Sequence, residues 1–276
     1  MSAENLHMIV LQTSKTNYIN MILEDIQKVN EPIKSSEILE TNREKKELLN
    51  EYICCLHRND KSNNKCITVS PPSHGKFVIM KINNQIRELQ TVLRDKTTSR
   101  SDFIFSADRL IRLVIEEGLN QLPFKECSVT TQSGENYIGC EFFKGICGVS
   151  IIRSGEAMEK GLRDCCRGIH IGKILMNKDE ESFQYKVIYA RFPNDIHKRK
   201  VLLMYPLLYS GDDIALAVKA LLEYGVIEEN IYVLTLFATP FGVNALYKQH
   251  PNISILTTEM QCELPNHFGE IYFGTN

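Results

Sequence analysis

The chain has 276 residues, 43% hydrophobic and 24% charged, with 32 basic against 34 acidic side chains and a formal net charge of −2. This balance gives no electrostatic reason to expect nucleic acid or an anionic membrane as a partner, and no run approaches the roughly 18–20 apolar residues of a membrane span. The nine cysteines, which include the adjacent pairs Cys54–Cys55 and Cys165–Cys166, fit neither a disulfide framework nor the CxxC spacing of a zinc site, so reduced thiols in the cytosol or nucleus are expected.

In chain order, Met1 to Thr13 is broken by Glu4, Asn5 and His7 and is too polar for a secretory signal. Residues 1–74 are rich in Ser, Asn, Lys and Glu. Short amphipathic helices fit around Tyr18–Val29 and Arg43–Leu56, but alone they bury too little apolar surface to offset ordering. A largely disordered extension is the expectation, ending near Pro71-Pro72.

From residue 75 to 276 the pattern becomes regular. Phe77–Ile82 alternates like an opening strand, and Ser106 is placed to cap a helix through Leu119 with Ala107, Leu110, Ile111, Val114 and Ile115 on one face. Apolar runs at Cys147–Ile152, Ile171–Met176, Val201–Met204, Ile231–Phe237 and Ile253–Thr257 then alternate with helical segments at Glu156–Arg167, Asp213–Tyr224 (stopped by Gly225) and Phe241–Gln249. Short uninterrupted strands separated by helices indicate an α/β domain with a parallel sheet flanked by helices on both faces. In such sheets ligands bind outside the carboxyl ends of the strands. The candidate turns are therefore Arg153–Glu156, Asn177–Glu180, Tyr205–Asp213 and Thr239–Gly242. No GxGxxG or P-loop spacing follows a strand, which argues against an unrelated nucleotide-binding fold.

The segments Leu93-Arg94-Asp95-Lys96-Thr97-Thr98, Ala107-Asp108-Arg109-Leu110-Ile111-Arg112-Leu113, Gly148-Val149-Ser150-Ile151-Ile152-Arg153-Ser154-Gly155-Glu156-Ala157-Met158, Arg167-Gly168-Ile169-His170-Ile171-Gly172-Lys173-Ile174-Leu175 and Tyr272-Phe273-Gly274-Thr275 resemble, in the right order, those of uracil phosphoribosyltransferases. The resemblance implies the phosphoribosyltransferase type I fold. It also implies pyrimidine salvage, in which uracil and phosphoribosyl pyrophosphate give uridine monophosphate (UMP) and pyrophosphate, with magnesium on the pyrophosphate. Small-molecule partners and self-association are implied with it, and neither nucleic acid nor membrane.

By the same resemblance Arg153 and Lys178 take the basic role toward phosphoribosyl pyrophosphate. Lys178 stands where the family usually has arginine, which keeps the charge without the bidentate fork. The phosphate loop is Tyr205-Pro206-Leu207-Leu208-Tyr209-Ser210-Gly211-Asp212-Asp213, against a family form of acidic residue, proline, small or apolar residues, then Thr-Gly-Gly. Uracil falls to Asn266, His267, Phe268 and Gly269, in a segment several residues shorter than the family's glycine-rich stretch. No catalytic side chain and no metal ligand is assigned.

Two carboxylates after Gly211 set a physical alternative. A carboxylate about 4 Å from a phosphate charge costs roughly 4 kcal/mol at an effective dielectric near 20, and Asp212 or Asp213 is a suitable N-cap for the helix that follows. A catalytically silent nucleotide-binding or regulatory protein on the same scaffold is the second expectation, and a magnesium ion bridging Asp212 or Asp213 to phosphate is a third arrangement.

Overall fold

The computed structural model describes residues 76–178, 185–265 and 267–274. The helices expected around Tyr18–Val29 and Arg43–Leu56 lie outside the described residues. β1 (Lys76–Ile79) leads to α1 (Asn84–Arg94) and α2 (Arg100–Asn120), then to a hairpin of β2 (Phe124–Thr130) and β3 (Asn136–Phe142). There follow β4 (Ile146–Ile152), α3 (Glu156–Cys165), β5 (His170–Lys178), β6 (Tyr185–Arg191), β7 (Lys200–Met204), β8 (Leu207–Leu208) and α4 (Asp212–Glu223). The chain closes with β9 (Ile231–Leu234), β10 (Phe237–Ala238), α5 (Pro240–Gln249), β11 (Ser254–Thr257), β12 (Glu259–Met260) and α6 (Phe268–Phe273).

The main sheet has the order β1-β11-β9-β7-β4-β5-β6. All its pairings are parallel except β5 with β6, which run antiparallel from Lys173↔Arg191 to Lys178↔Tyr185. Strand alternation divides the core. Leu202 and Met204 of β7 and Leu234 of β9 join the helical layer of α1, α2 and α3, whereas Val201, Leu203 and Val233 pack with Ile214, Val218 and Leu246 of α4 and α5. Burial on both faces is why these strands read as unbroken apolar runs. At Gly148 a Cβ would stand 2.3 Å from Leu162 Cδ2, so the glycine lets α3 lie close on the sheet.

Several boundaries differ from the sequence reading. Ser106 is buried inside α2, and the cap is Ser99, whose Oγ accepts from the Asp102 backbone N–H at 3.2 Å and donates to the Asp102 carboxylate at 2.7 Å. The apolar spacing simply runs back one turn to Phe103. The helix expected through Arg167 ends at Cys165, and the opening strand ends at Ile79 rather than Ile82. The run Ile231–Phe237 is split, because Thr235 turns its hydroxyl to the Pro206 and Phe237 carbonyls at 3.0 and 3.1 Å. Helix α1, the β2–β3 hairpin and the antiparallel β6 are additions. The α1 signal was present in the sequence: Asn83 caps Ile86 at 2.9 Å, and Ile86, Leu89, Gln90 and Leu93 are buried at helical spacing. Among the described residues no helix is long and apolar enough to cross a membrane.

Candidate functional site

Arg153–Glu156 and Tyr205–Asp213 follow the carboxyl ends of β4 and β7, Thr239–Gly242 follows β10, and of Asn177–Glu180 the residues 179 and 180 lie outside the described residues. After β4 the chain reverses through Arg153–Glu156, with Gly155 N–H donating to the Ile151 carbonyl at 2.8 Å and the Ile152–Arg153 peptide in the cis form. A Cβ on Gly155 would stand 2.5 Å from the Met204 carbonyl oxygen, so the turn lies directly on the end of β7 and leaves no room for a side chain. Glu156 Oε1 meets Lys173 Nζ at 2.6 Å, and Lys173 also reaches Glu159 at 3.3 Å, while the buried Ser150 hydroxyl donates to Glu159 at 2.5 Å. Arg153 is exposed, with its guanidinium 5.0 Å from the centre of the Phe273 ring.

The Tyr205–Asp213 loop is held by its backbone. The Pro206 carbonyl accepts from the Leu236 and Phe237 amides at 2.9 and 3.2 Å, and Leu207 and Leu208 pair with Phe237 and Ala238, which pair in turn with Glu259 and Met260. Thr239 donates its hydroxyl to the Tyr209 carbonyl at 2.5 Å and caps α5 through the Gly242 N–H at 2.9 Å. Gly211 has φ 84°, a left-handed conformation that glycine adopts without steric cost. A Cβ there would be 2.8 Å from the Gly242 oxygen, and one on Gly242 would be 2.4 Å from the Tyr209 oxygen. Two glycines thus let the Tyr205–Asp213 and Thr239–Gly242 turns touch backbone to backbone.

Gly211, not an aspartate, occupies the N-cap of α4; Asp212 and Asp213 stand in its first turn, and Gly211 makes no side-chain cap bond. The Asp212 N–H points to Ser210 Oγ at 3.4 Å, and Asp213 Oδ1 accepts from the Ile214 N–H at 2.8 Å. Asp213 is half-buried and interacts with the Tyr205 hydroxyl. Desolvation, with the charge of Asp212 added, pushes its carboxyl up to about 6, against the opposing hydrogen bonds from Ile214 and Tyr205. Burial and the Asp213 charge raise the Tyr205 hydroxyl in turn. A carboxylate therefore does approach position 205, but it arrives from position 213 across the loop. Tyr185, at the start of β6, is raised by burial and then by Asp213 and Asp212, which brings the β5–β6 end to the same corner. Lys178 is the register partner of Tyr185 there.

Of the expected uracil residues, Asn266 lies outside the described residues. His267 is exposed at φ 65° with Nδ1 2.5 Å from the Glu270 carboxylate. Phe268 is a core residue, 1% exposed, packed on Phe103 at 5.4 Å and stacked on Tyr272 at 5.9 Å. Its ring is enclosed and offers no face to a base. A Cβ on Gly269 would stand 2.4 Å from Ser154 Oγ, so α6 lies against the Arg153 turn. Phe273 and Tyr185 were not singled out from the sequence. Phe273 belongs to the closing aromatic motif, which was the available signal, and Tyr185 had none. Among the described residues, no three or more His, Cys, Asp or Glu side chains converge as a resident cation would require.

The family profile described as "Uracil phosphoribosyltransferase" matches residues 80–274. A uracil phosphoribosyltransferase homolog of Danio rerio is 60% identical over 198 residues, covering 72% of this chain and 77% of that protein. The homolog of Homo sapiens is 61% identical over 198 residues, a match spanning 72% of this chain but only 64% of the human protein's length. The uracil phosphoribosyltransferase of Dictyostelium discoideum is 46% identical over 207 residues, with 96% of its length covered. Among solved structures, the AQ2163 protein from Aquifex aeolicus superposes with a TM-score of 0.63 at 17% identity, over 72% of this chain and 99% of that one, a likeness of fold alone. The profile spans well over half of the sequence, and the chain belongs to the uracil phosphoribosyltransferase family.

Proposed function

We propose that the protein catalyses transfer of the phosphoribosyl group of magnesium-bound phosphoribosyl pyrophosphate to uracil, yielding UMP and pyrophosphate. The observation that carries this reading is the abutment of the Arg153 turn on the end of β7, with Gly155 against the Met204 carbonyl. It brings the backbone of the Arg153 turn against the strand that leads into the loop opening α4. Arg153 and Lys178 take the departing pyrophosphate, with the magnesium ion as part of that substrate. The backbone from Tyr205 to Asp213 takes the 5′-phosphate at the start of α4, where amides and the helix dipole favour an anion. Uracil meets residues 266–269 through backbone groups, since the Phe268 ring is enclosed. Positive charge develops on the ribose and negative charge on the leaving group, so positioning and electrostatics supply the rate.

Incubating the purified protein with labelled uracil, phosphoribosyl pyrophosphate and magnesium is expected to give labelled UMP, and Arg153→Ala to abolish it. No UMP at high protein concentration refutes this reading. The carboxylates in the first turn of α4 favour a second one: a silent protein on the same scaffold, in which Asp212 and Asp213 repel the phosphate. That reading predicts no calorimetric heat with phosphoribosyl pyrophosphate, and recovered binding in Asp212→Gly with Asp213→Ser. Micromolar binding by the unmodified protein excludes it. Self-association, implied by family membership, is measured by sedimentation equilibrium.

A further inference from the structure

We propose that Arg100 is a positioning residue for Arg153, acting through the C-terminal helix α6. The inference rests on the site reading above and adds to it a residue that touches neither the Arg153 turn nor the phosphate loop.

Helix α6 has six residues, too few to be stable alone, and its last carbonyls have no partner within the helix. Arg100, the first residue of α2, supplies partners. Its Nε donates to the Ile271 carbonyl and its Nη2 to the Tyr272 carbonyl, each at 3.0 Å. A planar guanidinium suits two adjacent acceptors, because both bonds form without freezing further rotamers. Gly274 makes the approach feasible: it has φ 68°, and a Cβ there would lie 2.9 Å from Arg100 Cζ.

The same helix α2 holds α6 at two further points. Asp108 Oδ1 accepts from the Tyr272 hydroxyl at 2.6 Å while Lys160 pairs with Oδ2 at 3.2 Å, and Phe103 packs on Phe268. On its other side α6 presents Phe273, 5.0 Å beneath the Arg153 guanidinium, and Gly269, pressed on Ser154. An exposed arginine side chain has many rotamers of similar energy, and the ring face selects among them by cation–π attraction. The ring can do this only while α6 is held, and Arg100 holds the end of α6 next to Phe273.

Arg100→Ala and Arg100→Lys test the idea. Arg100 is exposed, so neither change removes core packing. Three readouts are compared with the wild type: hydrogen exchange of the amides from 269 to 273, modification of Arg153 by phenylglyoxal mapped by mass spectrometry, and steady-state kinetics. Arg100→Ala is expected to speed exchange in α6 and the modification of Arg153 by about tenfold, with global unfolding little changed. Its KM for phosphoribosyl pyrophosphate is expected to rise about tenfold while kcat stays within about threefold. Arg100→Lys, with a single donor nitrogen and no planar fork, falls between. Wild-type exchange and wild-type Arg153 reactivity in Arg100→Ala overturn the proposal. If the wild type makes no UMP, the reaction proposed above fails, and the exchange and modification rates still decide the role of Arg100.

Discussion

Asp213→Asn isolates the electrostatics of the phosphate loop. In the folded protein the Asp213 carboxyl is pushed from 3.8 to about 6 by desolvation, so the folded state holds its proton more tightly than the unfolded chain does. Well below pH 3.8 both states are protonated and the group is neutral to stability; between about pH 4 and 6 the unfolded chain ionises while the folded state keeps its proton, and above 6 the folded state bears a desolvated charge at full cost. One pH unit is worth 1.36 kcal/mol, so the full cost is about 3 kcal/mol above pH 7. Partial solvent exposure brings it to about 1–2 kcal/mol. Asparagine keeps an Oδ1 to accept from the Ile214 N–H but cannot ionise. Urea unfolding of wild type and Asp213→Asn is compared at pH 7.5 and at pH 4, where contributions of all other groups cancel in the difference. The variant is expected to be more stable by about 1–2 kcal/mol at pH 7.5, with most of the gap closing at pH 4. The same substitution also removes a repulsion of roughly 4 kcal/mol from a phosphate about 4 Å away, so phosphoribosyl pyrophosphate binds more tightly to it at pH 7.5. A variant that is less stable than wild type, or equally shifted at both pH values, refutes the reasoning.

Gly211→Ala forces a side chain into a left-handed residue whose Cβ position is 2.8 Å from the Gly242 oxygen; a loss of about 2–3 kcal/mol in chemical denaturation is expected. Ser99→Ala removes the cap of α2 and lowers stability by about 1 kcal/mol. The conservative core change Ser106→Ala lies within about 0.5 kcal/mol of neutral, the reverse of the order expected if Ser106 were the cap. Phe268→Ala empties an aromatic site between Phe103 and Tyr272 and costs about 3–5 kcal/mol in thermal or urea unfolding. A small stability loss with selective loss of uracil binding would instead make the ring a ligand contact.

Much of the architecture was legible in the sequence because it is written in local periodicity. Val201–Met204 is buried on both faces and reads as an unbroken apolar run; α4 ends where Gly225 reaches φ 82°. Harder to read were elements whose pattern is weak or interrupted. The β2–β3 hairpin exposes Phe124, Tyr137 and Ile138 and so lacks alternation between inside and outside. The short β10 is apolar and continuous with β9 in sequence, and only the Thr235 hydroxyl bonds mark the break. At the candidate site, residue identity pointed to turns without showing how each side chain is spent. Phe268 has the chemistry of a stacking platform but is enclosed by other rings, and Glu156 is engaged by Lys173 from the neighbouring strand.

From the sequence alone come the helix–strand alternation, the parallel sheet with its candidate turns, and membership of the uracil phosphoribosyltransferase family, because periodicity and motif order are properties of neighbours along the chain. The type I phosphoribosyltransferase fold then gives those turns a common edge. Only the tertiary structure decides that the Tyr205 hydroxyl meets Asp213, that Gly211 approaches Gly242, and that Arg100 grips a helix 171 positions further on. Desolvation, backbone clearance and the pairing of an arginine with distant carbonyls depend on which surfaces are brought together in space, and spacing along the chain carries no record of that.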